Sequence, residues 1–163
     1  MYKSIEELND SKQLTHKKRE ELFEQIVQNS SYHIVITDHV QLDTIGLSKA
    51  LKNSILEIMQ NIEAQEYLMD GNTSFGITTL QHKIKADATV KEVSAASILA
   101  KVTRDRIMMD FAPLYPEYEF EKHKGYGTKK HIELIQEFGL CEIHRKSFKL
   151  KALENQQPTL FEL

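Results

Sequence analysis

Tryptophan is absent from this sequence and cysteine occurs once, at Cys141. No internal disulfide can form, so a small scaffold stapled by bridges is excluded, and the thiol content fits a reducing compartment. Proline and glycine are scarce, at 3 and 6 of 163 residues, while 40% of residues are hydrophobic. That balance excludes a linker-like chain and permits one folded core. No apolar run is long enough to span a bilayer, and the opening MYKSIEELNDSK lacks the apolar centre of a signal peptide. The expected location is the cytoplasm. A large excess of one charge is missing too. The net charge of −3 does not mark a nucleic-acid binder in bulk. Locally the picture differs: Lys122, Lys124, Lys129, Lys130, Arg145, Lys146, Lys149 and Lys151 crowd the last third, with His123, His131 and His144 among them.

What is present reads as alternating helices and strands. Thr15 can cap a helix bearing Leu22, Phe23, Ile26 and Val27 at helical spacing. SYHIVITD, residues 31–38, is rich in β-branched residues and predicts a strand. Leu47, Leu51, Ile55, Ile58, Met59 and Ile62 share one face of the next helix. EYLMDGN predicts a short strand closed by an Asp-Gly-Asn turn, and HKIKAD a further strand ending on Asp87. Lys91 to about Met109 predicts a long helix with a stripe of Val93, Ala96, Ala100, Thr103 and Ile107. After a loop with Pro116 and two glycines, Thr128 caps a last helix that ends at Gly139. The pattern is that of an α/β domain, though three convincing strands are few for so many helices.

Asp70 and Asp87 each fall at a predicted strand end, where α/β folds commonly place a site. Two carboxylates brought together there repel unless a cation lies between them, and oxygen ligands suit Mg²⁺ or Mn²⁺. A plain turn residue before Gly71 is the competing account of Asp70. His33, His39, His82 and His144 lack the paired spacing of a zinc site.

Read in series, LNDSKQLTHKKREELFEQI, YLMDGN, KADATVKEVSAASILAKVTRDRIM, YEFEKHKGYGTKKH and HRKSF resemble bacterial ribonuclease HII, the type 2 ribonuclease H, from Leu8 to about Phe148. The resemblance implies an RNase H-like mixed sheet flanked by helices, over residues 1–150, with a tail at 151–163. It implies an endonuclease that cuts the RNA strand of RNA–DNA hybrids and cuts duplex DNA at embedded ribonucleotides. Four carboxylates hold two Mn²⁺ or Mg²⁺ ions in the family, one ion activating water and the other steadying the leaving oxygen. Asp70 and Asp87 match the third and fourth carboxylates; Asp105 in the RD pair is no ligand by that pattern, and reads as a helix-surface or structural residue. Tyr126 matches the tyrosine at the ribonucleotide–deoxyribonucleotide junction, where the 2′-OH separates RNA from DNA. Ser11, Lys12, Lys122 and Lys124 are candidates for the nucleic-acid backbone. A monomer is the family expectation.

Two features complicate the match. The family opens with a G-x-D-E-A-G-R-G strand and a second apolar strand ahead of DSK-L, and the 163 residues contain neither. The first and central strand, the second strand and two of the four carboxylates are thus expected to lie upstream of Met1, and the chain alone to be weak or inactive. The other feature is QPTLF, where Gln157, Leu160 and Phe161 resemble the short peptide that docks bacterial repair proteins on the sliding clamp. Competing readings are a catalytically dead module binding RNA–DNA hybrids or the clamp, and a degenerate fragment.

Overall fold

The computed structural model describes residues 14–148. In chain order its elements are α1 (His16–Asn29), α2 (His39–Ile45), α3 (Leu47–Asn61), β1 (Tyr67–Asp70), β2 (Leu80–Lys83), α4 (Lys91–Phe111), α5 (Phe120–His123) and α6 (Lys129–Phe138). Short 3-10 turns lie at Ala86–Ala88, Ala112–Leu114 and Pro116–Tyr118. The described residues fall into two compact units, 14–37 with 47–104 and 38–46 with 105–148.

In the first unit, α1 starts where Thr15 accepts a hydrogen bond from the Lys18 amide, at 3.2 Å. Its buried Leu22 and Ile26 pack on Ile98, Leu99 and Val102 of α4, with Phe23, Val27, Ile34 and Ala95 around them. Each of the buried Leu, Ile and Val side chains contributes roughly 1.5–3 kcal/mol. The apolar face of α3 is less enclosed: Ala50 is its one buried residue, and Leu47 and Leu51 are exposed. Tyr67 fastens the end of α3 to β1, its hydroxyl donating to the Ile62 carbonyl at 2.6 Å.

β1 and β2 pair in parallel, with Tyr67 opposite Leu80 and Asp70 opposite Lys83. They form the one sheet among the described residues, and the α/β class holds at that coarse level. Three sequence expectations change here. Residues 31–38 are not a strand. A strand needs a ladder partner, and among the described residues β1 and β2 pair only with each other. The segment is held instead by side chains, Thr37 Oγ1 lying 3.3 Å from Ser54 Oγ and His33 Nε2 3.2 Å from Glu57. β2 also ends four residues before Asp87, because Lys85 turns the chain through a left-handed conformation, φ 58° and ψ 36°. The stripe on α4 is rotated: Val93 is buried as expected, but Ser94, Ile98, Leu99, Val102 and Asp105 are buried with it while Ala96 and Ala100 are exposed. Polar Ser94 and Asp105 within the buried face disguise it in the sequence. Asp105 is therefore not a surface residue.

The second unit packs Tyr118 and Phe120 as a stacked pair, centroids 5.5 Å apart, against Ala112, Leu134 and Ile135. α6 has both expected caps: Thr128 accepts from the His131 amide, and the Gly139 amide donates to the Ile135 carbonyl. Asp43 of α2 gathers the HRKSF segment, accepting from the Lys146 amide at 2.7 Å and from the Ser147 hydroxyl. The Ser147 hydrogen bond is the main reason the Asp43 carboxyl sits below its ordinary value. No helix among the described residues is long and apolar enough to cross a membrane.

Candidate metal-binding edge and substrate loop

The parallel register makes β1 and β2 finish at one edge, Asp70 beside Lys83. The Gly71 amide donates to the Lys83 carbonyl at 3.1 Å and extends the ladder by one bond. The left-handed Lys85 then folds the chain back into the turn Ala86–Ala88, closed by Thr89 donating to the Ala86 carbonyl at 3.0 Å. This return brings the two aspartates into one place. The Ala86 amide donates to Asp70 Oδ1 at 2.9 Å, and Asp87 is the next residue. Ala86 is fully buried and Asp87 is 5% exposed, whereas Asp70 is exposed. One carboxylate thus sits inside the edge and the other at its rim. Lys83 reaches across the turn, its ammonium donating to Thr89 Oγ1 at 3.1 Å.

Carboxylate oxygens at a strand edge are the donor type a hard divalent ion takes. Asp70 Oδ2 engages none of the described residues in a hydrogen bond or ion pair, and one oxygen is thereby left for a ligand. In kind the residues fit Mg²⁺ or Mn²⁺; in number they fall short. No group of three or more His, Cys, Asp and Glu side chains among the described residues is arranged to hold a metal ion.

The substrate candidates that can be placed lie in the second unit. Tyr126 is 43% exposed on the loop after α5. Its amide donates to the His123 carbonyl at 2.9 Å, and its own carbonyl accepts from the Thr128 amide at 2.7 Å. Lys122 pairs with Glu119 at 2.9 Å, and that hydrogen bond both raises the Lys122 pKa and lowers that of Glu119. Lys124 donates its ammonium to the Glu121 carbonyl. Both lysines are partly committed within the protein, each keeping further ammonium donors. Ser11, Lys12, Gln157, Leu160 and Phe161 lie outside the described residues.

The structure gathers His123, His131 and His144 around Phe120, with centroids 5.8, 5.7 and 5.8 Å from its ring. His123 stacks on His131 at 4.3 Å, and His131 Nε2 lies 3.1 Å from His144 Nε2. Cys141 is half-buried beside them, its Sγ 2.9 Å from His144 Nδ1. Burial lowers the pKa of His131 and His144 and raises that of Cys141. The one available signal was that these histidines fall in HKGYGT, at the start of α6 and in HRKSF.

The family model for ribonuclease HII matches residues 4–151. The chain belongs to the ribonuclease HII family. It is 59% identical over 160 residues to ribonuclease HII of Aliarcobacter butzleri, covering 94% of this chain and 83% of that one. It is 51% identical to ribonuclease HII of Sulfurovum sp., covering 98% and 84%, and 52% identical to that of Campylobacter jejuni, covering 91% and 78%. Among solved structures, ribonuclease H2 from Pyrococcus horikoshii superposes with a TM-score of 0.71 at 26% identity, over 88% of this chain and 77% of that one. A PCNA:RNase HII complex from Archaeoglobus fulgidus gives 0.76 at 22% identity, over 94% and 81%, a likeness of fold. Membership places the protein in the hydrolase class, in a family of RNase H-type endonucleases that act on RNA-containing nucleic acid.

Proposed function

We propose that this ribonuclease HII cuts the RNA strand of RNA–DNA hybrids and cuts duplex DNA at embedded ribonucleotides, with Asp70 and Asp87 among its metal ligands. The observation that carries the reading is the return of the chain at Ala86, whose amide binds Asp70 and sets Asp87 beside it. Mg²⁺ or Mn²⁺ held there supplies positive charge to the phosphodiester oxygens, on which negative charge builds during hydrolysis. The protein's own part is to hold the carboxylates: the buried turn fixes Asp87, and the Ala86 amide fixes the rotamer of Asp70. Tyr126 meets the deoxyribose at the junction, its ring presented by the exposed loop. Lys122 and Lys124, with Ser11 and Lys12, contact phosphates.

The 163 residues carry two of the four carboxylates of the family pattern. Two aspartates hold two ions poorly, so these residues alone cut weakly. Incubation with a duplex bearing one ribonucleotide, in Mn²⁺ or Mg²⁺, tests this. Slow or absent cutting by the 163 residues, and efficient cutting 5′ of the ribonucleotide once a family G-x-D-E-A-G-R-G strand is fused ahead of Met1, is the expected pair of results. Efficient cutting by the 163 residues alone overturns the claim of weakness.

A second reading concerns residues 151–163 as a docking tail. Gln157, Leu160 and Phe161 supply a polar residue and two apolar anchors for a clamp groove. The Archaeoglobus relative in fold was solved with PCNA. Phe161→Ala should abolish retention of the chain on an immobilised bacterial sliding clamp, and unchanged retention rejects the reading.

A further inference from the structure

The three histidines of the second unit form hydrogen bonds whose direction can be worked out link by link. The Cys141 amide donates to His144 Nδ1 at 3.0 Å. That nitrogen therefore carries no proton, and neutral His144 carries its proton on Nε2. His144 Nε2–H then donates to His131 Nε2 at 3.1 Å, which leaves the His131 proton on Nδ1. His131 Nδ1–H ends the chain by donating to the Tyr126 carbonyl at 3.0 Å. His123 is fixed independently. Its Nδ1 accepts from the Gly125 amide at 3.1 Å, and its Nε2–H donates to the Tyr118 carbonyl at 2.8 Å. Each ring nitrogen of the three imidazoles thus either donates or accepts, His144 Nδ1 facing the Cys141 thiol at 2.9 Å as well as the amide, and every role is consistent with a neutral ring.

The relay ends on the loop that carries Tyr126. Lys124 and Gly125 take positive φ values of 51° and 72°, so the loop departs from regular backbone on both sides of its turn. A left-handed lysine is strained, and such a turn persists when surrounding contacts hold it. Gly125 is held by His123, and Tyr126 by His131 through its carbonyl. His131 is 6% exposed and His123 7%, so water does not readily substitute for either. The groups around the relay are His123, Cys141, Tyr118 and Phe120, His123 acting on both His131 and His144, with Glu117 acting on Cys141 and His39 on His144 at longer range.

We propose that His131 and His144 are positioning residues: their neutral relay from the Cys141 amide holds the 124–128 loop and so sets where the Tyr126 ring meets the ribonucleotide junction. The inference rests on the reading of Tyr126 as the junction residue, and two separate readouts keep the two apart. A proton added to His144 Nδ1 would face the Cys141 amide and thiol, displacing the amide hydrogen bond, and one added to His131 Nε2 would face His144 Nε2–H. Either breaks the relay without touching Tyr126. The claim concerns placement of the loop, since none of the three histidines is assigned a contact with substrate.

The experiment compares His131→Phe, His131→Asn and Tyr126→Ala in the full chain. Phenylalanine keeps the ring against Phe120 and His123 but loses the donor; asparagine presents an N–H near the place of Nδ1. One readout is amide exchange of residues 124–128, and the other is the ratio of affinities for a duplex with one ribonucleotide and for the all-DNA duplex, measured in Ca²⁺. His131→Phe should speed exchange of the loop and lower the affinity ratio, each about tenfold, with His131→Asn recovering much of both. Unchanged exchange in His131→Phe overturns the inference. So does a lowered ratio in Tyr126→Ala with no change in His131→Phe, which leaves the Tyr126 reading standing. An unchanged ratio in Tyr126→Ala rejects that reading instead, and with it the substrate half of the proposal.

Discussion

The edge at Asp70 and Asp87 and the imidazole cluster of His123, His131 and His144 are built on opposite principles. At the edge, Asp70 lies at the exposed rim, one carboxylate oxygen taken by the Ala86 amide and the other engaging none of the described residues, and buried Asp87 follows next in the chain. In the cluster every imidazole nitrogen is matched to a donor or acceptor within the protein. Buried polar groups are held without cost only when they are satisfied. The contrast is between an edge whose exposed Asp70 keeps one oxygen clear of the described residues and a cluster whose imidazoles are all engaged within the protein.

Breaking the first half of the comparison gives the largest effect. Asp87→Asn and Asp70→Asn each keep the side-chain shape and, at Asp70, an oxygen for the Ala86 amide. Either should cost about a hundredfold or more in cleavage by the chain with the added N-terminal strand, with thermal unfolding little changed. Breaking the second half costs less: His131→Phe reduces preference for the ribonucleotide about tenfold while leaving the cleavage chemistry in place.

Acidification separates the halves further. Burial holds His131 and His144 below the ordinary value of 6.5. The unfolded chain therefore takes up protons that the folded chain refuses. Their contribution to stability is whole above pH 6.5 and is lost progressively as the pH falls below that value toward the lowered folded pKa values. Urea unfolding midpoints between pH 7.5 and 5 should fall accordingly, and less steeply in His131→Phe. The smallest effect belongs to Thr128, whose hydroxyl caps α6 just after the loop. Thr128→Ala should cost about 1 kcal/mol, read from the same unfolding curves.

Much of this was legible in the sequence where the signal was local. Thr15, Thr128 and Gly139 mark helix ends because a cap acts within a few residues of itself. The series from DSK-L to HRKSF carries the family resemblance in the sequence itself. Other features depend on partners distant in the chain. Residues 31–38 have strand composition but no ladder partner among the described residues. Asp87 reads as a strand end until the left-handed Lys85 is seen to move it onto a turn beside Asp70. The histidine relay was hidden for the same reason. His131 and His144 are 13 residues apart, and only the packing of α6 and the 141–144 turn joins them. No spacing rule carries the direction of a proton.

The central claim is that Asp87 and Asp70 together hold the ions that cleave the phosphodiester. It is tested most directly by Mn²⁺-dependent cutting of a duplex with one ribonucleotide, using the chain with the family's N-terminal strand and its Asp87→Asn variant. The account predicts cutting on the 5′ side of the ribonucleotide that all but disappears in the variant, at unchanged duplex affinity in Ca²⁺. Equal cutting rates for the two proteins would contradict it.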